Sequence, residues 1–232
     1  MIEIRPSEER GPADHGWLKS KHTFSFADYH NPEMMGFAKL RVVNEDWIEP
    51  GTGFGTHPHR DMEIVTYVLD GALEHQDSLG NGSVLRHGDV QRMSAGPGVQ
   101  HSEFNPSDDE ECHLLQIWLL PDRSGHEPTW DEKEFPPAER RDRLCLLASP
   151  DGAQGSLPWR QDARLYASTL ASVRALDHRL DPERHAWVQV TRGRLDVSGT
   201  TLNAGDGAAI SDETNLKLEA REDCDFLFFD LP

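Results

Sequence analysis

The sequence has 232 residues with 23 basic and 41 acidic side chains, which give a formal net charge of -18 at neutral pH. This charge repels phosphate backbones and anionic lipid surfaces, so it argues against a nucleic-acid-binding or membrane-bound protein. No stretch reaches the roughly 18 apolar residues of a transmembrane helix, and the N-terminus has no apolar run of signal-peptide length. We therefore expect a cytoplasmic protein, whose length allows one large β domain or two ordinary ones.

From residue 63 onward the sequence predicts short strands joined by tight turns. Runs rich in β-branched and aromatic residues alternate with turn signals at Asp70-Gly71, Gly80-Asn81-Gly82 and Gly88-Asp89. The same order of strands and turns recurs between residues 186 and 213. Two copies of one β unit favour a pair of closed barrels over a single wide sheet, because closure removes exposed sheet edges.

Residues 120–142, between the two copies, are predicted to be a connecting segment. They are rich in proline and charge and have little apolar periodicity. Residues 136–142 predict a single helical turn begun by proline. We place the boundary near Pro136 and predict two domains, residues 1–135 and residues 136–232.

Four potential metal ligands form two pairs with one residue between the partners, His57 with His59 and His101 with Glu103. Residues two apart in a strand point to the same face, roughly 6.5 to 7 Å apart, so each pair can direct both side chains into one cavity. Two such strands side by side would surround one point with three imidazoles and a carboxylate. These donors suit a divalent transition metal but do not select among iron, manganese, cobalt, nickel, copper and zinc.

The other histidines and the cysteines carry weaker signals. A single histidine is more often exposed or hydrogen-bonded than metal-bound, which applies to His15, His30, His126 and His178. Two alternatives stand for His75: it reaches the cavity, behind the ligands or against the substrate, or it lies on a surface hairpin. The three cysteines form no CxxC pair and are expected to be buried or inert thiols: Cys112, Cys145 and Cys224.

The first half of the chain resembles the cupin superfamily. The first cupin motif, a glycine, an HxH pair, a glutamate and a second glycine, is found as Gly51, His57, His59, Glu63 and Gly71. The second motif follows at Gly98, His101 and Asn105. One residue more than usual separates the glutamate from the glycine after it, so Glu63 departs from the position of the cupin carboxylate ligand.

Within that superfamily the chain is similar to the pirin family. The resemblance rests on HTFSF at residues 22–26, THPHRDMEIVTYVLDG at residues 56–71 and SAGPGVQHSE at residues 94–103. It implies an all-β bicupin, with two tandem antiparallel β-barrels of the jelly-roll type. It also implies one divalent transition-metal ion per chain, iron(II), held by His57, His59, His101 and Glu103. The second repeat lacks a matching ligand set, so we expect it to be structural.

Residues 116–122 and 227–232 extend the resemblance to bacterial pirin-like quercetin 2,3-dioxygenases. This implies an oxidoreductase that opens the heterocycle of a flavonol with dioxygen and releases carbon monoxide, with Glu103 as general base. The implied partners are a small aromatic substrate and dioxygen, and we expect a monomer. Phe54, Val65 and Trp118 are candidates for enclosing the flat substrate.

Two other functions stay open at this point. Pirin relatives also act without turnover, as metal-bearing redox sensors or regulatory protein partners. A sugar-binding or isomerase-type cupin would need polar pocket walls and a Lys or Tyr acid/base residue. Val65, Tyr67 and Leu69 favour an apolar cavity and therefore an aromatic substrate.

Overall fold

Twenty-two β-strands and one short α-helix form the computed structural model, which describes residues 1–232. The strands before the helix are β1 (Ile2–Arg5), β2 (Gly11–Asp14), β3 (Leu18–His22), β4 (Leu40–Ile48), β5 (Gly53–His59), β6 (Glu63–Asp70), β7 (Ala72–Asp77), β8 (Gly82–Arg86), β9 (Asp89–Ser94), β10 (Val99–Phe104), β11 (Cys112–Leu119) and β12 (Thr129–Glu134). The helix is α1 (Pro137–Arg140). The remaining strands are β13 (Cys145–Ser149), β14 (Leu157–Pro158), β15 (Arg164–Leu170), β16 (Ala175–Arg179), β17 (His185–Arg192), β18 (Arg194–Val197), β19 (Thr200–Asn203), β20 (Gly207–Ile210), β21 (Asn215–Ala220) and β22 (Cys224–Leu231).

The chain divides into two compact units. The first unit comprises Gly11–Glu134 and Trp159–Gln161, and the second comprises Met1–Arg10, Phe135–Pro158 and Asp162–Pro232. Each unit contains one seven-stranded and one four-stranded sheet, so the two units share one strand plan. The all-β prediction with two tandem barrels is therefore confirmed.

The first unit packs a seven-stranded sheet, in the order β12-β9-β6-β11-β4-β3-β2, with a four-stranded sheet, in the order β5-β10-β7-β8. Strand β6 is buried over six consecutive residues because it is central in the larger sheet. Its Val68 packs with Leu73, Leu85 and Leu114, which come from three other strands. Burying such a side chain contributes about 1.5 to 3 kcal/mol, so this apolar layer holds the sheets together.

The second unit repeats this plan with the orders β1-β20-β17-β22-β15-β13-β14 and β16-β21-β18-β19. Its core is apolar, with Phe226 and Phe228 packed among buried leucines and valines. The first strand of the chain pairs antiparallel with β20, from Ile2 opposite Ile210 to Arg5 opposite Gly207. Met1–Arg10 thus belong to the second unit, because the first strand of the chain pairs with the edge of β20. The predicted boundary instead assigns these residues to the first domain, residues 1–135.

The connecting segment contains the predicted helical turn. Pro136 precedes α1 in an extended conformation and Pro137 occupies its first position, where a missing N–H costs nothing. No helix in the structure has the length and apolar character needed to cross a membrane.

Candidate metal centre

Neighbouring strands of the four-stranded sheet bring the predicted ligands together. His57 and His59 lie on β5, and His101 and Glu103 lie on β10, its antiparallel neighbour. His101 is directly opposite His57. A bulge follows, so that Glu103 lies opposite Phe54. Because residues two apart share a face, all four side chains are on the inner face of the sheet.

The three imidazoles converge through their Nε2 atoms. The Nε2 of His101 lies 2.8 Å from that of His59 and 3.0 Å from that of His57. Two nitrogens bound to one ion at about 2.05 Å and about 90° to each other would be about 2.9 Å apart. The nitrogen of His101 is therefore spaced from each of the other two as neighbouring ligands of one divalent transition metal are.

Glu103 is buried next to this cluster. Its Oε2 accepts a hydrogen bond from Nε2 of Gln116 at 3.0 Å, and its Oε1 accepts one from Oγ1 of Thr66 at 3.3 Å. Potential ligand atoms of His57, His59 and His101 lie within 4.8 Å of one another, and a carboxylate oxygen of Glu103 forms such a group with His101 and His75. The carboxylate is thus beside His101 and held by two neutral donors.

The environment keeps two of the imidazoles neutral. Burial, together with the neighbouring imidazoles, lowers the pKa of His59 to about 4 and that of His101 to about 3. The Nδ1 of His57 lies 2.8 Å from the carbonyl oxygen of Gly55. A hydrogen on that Nδ1 leaves the Nε2 lone pair of His57 free for a metal ion.

A cavity of about 290 Å³ opens beside the cluster. The rings of Trp118 and His59 pack edge to face, with 4.9 Å between their centroids. Phe26 packs against Trp118 in the same way, with a centroid distance of 5.3 Å. The lining residues are His15, Leu18, Ser20, His22, Phe26, Ala27, Asn44, Asp46, Phe54, His57, His59, Glu103, Gln116 and Trp118. Of the three residues expected to enclose the substrate, Phe54 and Trp118 line this cavity. Val65, on β6, is fully buried and is not part of the lining.

One wall of the cavity is polar, which the apolar pattern of β6 does not indicate. Ser20 and Asp46 face each other across β3 and β4, and the hydroxyl of Ser20 donates to Oδ1 of Asp46 at 2.5 Å. His15, which was expected to be exposed or hydrogen-bonded, lines the same cavity. His22, which the sequence analysis names only within the HTFSF motif, lines it as well. The signal available in the sequence was the alternation of Leu18, Ser20 and His22 with two lysines, which places these three residues on one face of β3.

Glu63 lies outside the histidine cluster. Its Oε2 accepts hydrogen bonds from the hydroxyl of Ser94 at 2.7 Å and from the backbone N–H of Arg160 at 3.1 Å. Burial raises the pKa of this carboxyl group. The glutamate that departs from the cupin spacing is thus bound within the protein by other partners.

His75 is fully buried next to His101, with 3.4 Å between the Nδ1 atoms of the two rings. The ring of His178 packs against Phe228 in the second unit. No group of three potential metal ligands occurs in that unit. All three cysteines are free, and burial raises the pKa of Cys112 and of Cys224 to about 12.

Comparison with known proteins identifies both halves of the chain. Residues 3–119 match the family model described as Pirin, and residues 146–231 match the model described as quercetinase C-terminal cupin domain. The chain is 47% identical to a quercetin 2,3-dioxygenase of Escherichia coli K12 over 232 residues, covering 100% of this chain and 99% of the relative. It is 45% identical to a pirin-like protein of Caulobacter vibrioides, with 99% of each chain covered.

A solved structure agrees with these matches. The bacterial pirin YhhW from Escherichia coli, in complex with nickel(II), superposes with a TM-score of 0.96 at 47% identity, covering 100% of this chain and 99% of that one. The similarity extends over both units. The resemblance seen in the sequence is therefore confirmed, and the chain belongs to the pirin family of cupin proteins.

Proposed function

We propose that this protein is a metal-dependent dioxygenase that opens the heterocycle of a flavonol, such as quercetin, with dioxygen and releases carbon monoxide. The observation that carries the proposal is the convergence of three Nε2 atoms, next to a buried carboxylate, at the wall of an aromatic-lined cavity. Relatives named quercetin 2,3-dioxygenase support it.

In this proposal His57, His59, His101 and Glu103 hold one divalent ion. The ion supplies Lewis acidity, which favours the ionised form of a substrate hydroxyl group. Imidazole and carboxylate donors accept several metals. Iron(II) is our first candidate, and nickel(II) is the second because a relative's structure contains it.

The cavity suits a single flat aromatic molecule. Its volume lies at the lower end of the several hundred Å³ typical of ligand pockets. Phe26, Phe54 and Trp118 supply ring faces and edges for stacking. The carboxylate of Asp46, which also lines the cavity, supplies a hydrogen-bond acceptor for a phenolic hydroxyl.

Glu103 performs the proton transfer. Its carboxylate accepts the proton of the substrate's 3-hydroxyl group, and the electron-rich anion that results reacts with dioxygen at the adjacent ring carbon. Thr66 and Gln116 hold the carboxylate in place through hydrogen bonds to separate oxygens.

Two substitutions test the assignment. Glu103→Gln keeps the size of the side chain and removes the proton acceptor, so we expect flavonol consumption to fall by about 10²-fold or more. His101→Ala removes an imidazole from the cluster, so it should abolish both metal retention and turnover. Oxygen uptake with quercetin and metal content are measured on proteins reconstituted anaerobically with iron(II), nickel(II), cobalt(II), manganese(II), copper(II) or zinc(II).

The outcomes separate three conclusions. Full turnover by the Glu103→Gln variant, with none by the His101→Ala variant, would show that Glu103 is not the base. Oxygen uptake by the wild type with none of the ions would refute the dioxygenase and favour the sensor function. The wild type failing to retain any ion would refute the metal centre itself.

A further inference from the structure

Strand β7 places two further polar side chains against the metal centre. His75 lies directly opposite Glu103, and Asp77 lies directly opposite His101, on the strand that flanks β10 on the side away from β5. Both side chains are fully buried. A buried imidazole and a buried carboxylate are costly unless they are hydrogen-bonded, so their contacts indicate what they do.

The contacts form a chain that begins at His101. The Nδ1 of His101 is 3.4 Å from the Nδ1 of His75, and the Nε2 of His75 is 3.5 Å from Oδ2 of Asp77. Since the Nε2 of His101 faces the other two imidazoles, its hydrogen belongs on Nδ1, which then donates to His75. His75 accepts at Nδ1 and carries its own hydrogen on Nε2, directed at Asp77.

Asp77 is itself held in one orientation. Its Oδ1 accepts hydrogen bonds from the backbone N–H groups of Leu79 at 2.9 Å and Asn81 at 3.0 Å, and its Oδ2 accepts one from Nδ2 of Asn81 at 2.9 Å. Burial opposes its ionisation, but these hydrogen bonds outweigh burial and lower the pKa of Asp77. The carboxylate end of the chain is thus ionised and fixed by the turn after β7.

The ring of His75 is also fixed. It stacks on Trp130, with centroids 5.8 Å apart and an angle of 15° between the planes. Trp130 lies on β12, in the other sheet of the same unit. The plane of the His75 ring is therefore set by an aromatic contact, and its nitrogens by hydrogen bonds.

We propose that His75 and Asp77 are positioning residues that hold His101 in the tautomer and orientation needed to bind the metal ion. His57 has a comparable partner in the carbonyl group of Gly55. Partners behind a metal-bound histidine fix its ring and increase its basicity, and their loss typically weakens metal binding by about 10- to 100-fold. The inference rests on the metal centre of the proposed function and is independent of the substrate.

A matched pair of substitutions at position 75 separates positioning from packing. Asparagine and leucine have similar size, and both remove the stacking on Trp130, but only asparagine keeps a hydrogen-bond acceptor near the place of Nδ1. We expect His75→Leu to weaken nickel(II) binding by about 10- to 100-fold, and His75→Asn to recover most of that loss. Binding constants and stoichiometry are measured by competition with a chelator, and thermal unfolding of the metal-free proteins reports their folding.

A second variant and a control complete the test. Asp77→Asn keeps the shape of the side chain and removes its charge, so it should weaken nickel(II) binding by about tenfold with one ion still bound per chain. His87→Leu, at an exposed histidine in the turn between β8 and β9, should leave binding unchanged.

Equal losses in His75→Leu and His75→Asn would reduce His75 to a packing residue and overturn the proposal. Two nickel ions in the wild type, with one in His75→Leu, would make His75 a ligand and also overturn it. A wild type that binds nickel(II) but consumes quercetin with none of the six reconstituting ions would refute the dioxygenase proposal alone. A wild type that binds no ion would remove the centre on which both depend.

Discussion

Glu63 is a carboxylate whose environment opposes its charge. It is 1% exposed, and burial raises its pKa above the ordinary value of 4.5. The folded protein therefore binds this proton more tightly than the unfolded chain does. The protonated Glu63 side chain therefore contributes to the free energy of unfolding. This contribution is fully present below about pH 4.5 and is lost as the pH rises through the raised pKa of Glu63 in the folded protein.

Glu63→Gln should remove this pH dependence. Glutamine still accepts the hydrogen bonds from Ser94 and Arg160 but does not ionise. We expect the free energy of unfolding of the wild type, relative to that of the variant, to decrease as the pH rises from 4.5. Urea unfolding at a series of pH values measures it. Glu134→Gln, on the exposed face of β12, serves as control, and a constant difference between wild type and Glu63→Gln would contradict the prediction.

At this scale the sequence identifies residues better than their surroundings. The HxH and HSE spacings name the four candidate ligands because the two-residue period of a strand needs only local information. The alternatives for His75 could not be resolved from the sequence, since its burial comes from β10 on one side and Trp130 on β12 on the other. The same reason hides Asp46 and Ser20, which meet across two strands.

At the scale of elements, turns were predictable and the register was not. Gly71, predicted in a turn, has a positive φ of 73° and joins β6 to β7. Gly96 has a positive φ of 50°, and an ideal Cβ built on it would lie 2.0 Å from the carbonyl oxygen of His126. The bulge between His101 and Glu103 depends on the pairing of two strands, which no local signal in either strand specifies.

The close approach of β5 and β10 gives a prediction for the pair of strands. A Cβ on Gly53 would lie 2.2 Å from the carbonyl oxygen of Glu103, whereas a Cβ on Gly55 meets no atom within 4 Å. Gly53→Ala should push the strands apart, which costs about 1 to 3 kcal/mol of stability and displaces Glu103 from the histidines. Because the displaced carboxylate would bind the ion less well, we expect nickel(II) affinity to fall by about tenfold or more. A tenfold loss corresponds to about 1.4 kcal/mol of binding free energy.

Gly55→Ala is the matched control on the same strand. It keeps the carbonyl group that contacts His57, so nickel(II) affinity should match that of the wild type. Calorimetric titration and thermal unfolding are compared for the two variants. Equal effects of the two substitutions would show that contact between β5 and β10 does not set the geometry of the centre.

At the scale of the whole molecule, the duplicated strand plan was visible in the repeated turn signals. The membership of Met1–Arg10 in the second unit was not visible, because Ile2–Arg5 reads only as an extended segment and its partner β20 lies some two hundred residues away in the sequence, from Gly207 to Ile210. A pairing of this length in sequence depends on which sheet edge is open in the folded unit. The composition of residues 120–142 predicts a boundary near Pro136, and strand pairing determines the unit to which Met1–Arg10 belong.

The N-terminal strand should therefore stabilise the second unit and leave the metal centre unaffected. Deleting residues 2–5 removes the hydrogen bonds to β20 and the packing of Ile2 on the apolar core. The deletion also removes the entropy cost of ordering these residues, which offsets part of the lost interactions. We therefore expect the free energy of unfolding to fall by about 1 to 3 kcal/mol. Hydrogen exchange should accelerate at the amides of Gly207–Ile210, while exchange in β5 and β10 and nickel(II) affinity should not change.

Two substitutions in the N-terminal strand refine this test. Ile2→Ser should reproduce part of the loss of stability, and Ile4→Ser, at an exposed position, almost none. Accelerated exchange in β5 and β10 would show that the first strand stabilises the first unit as well.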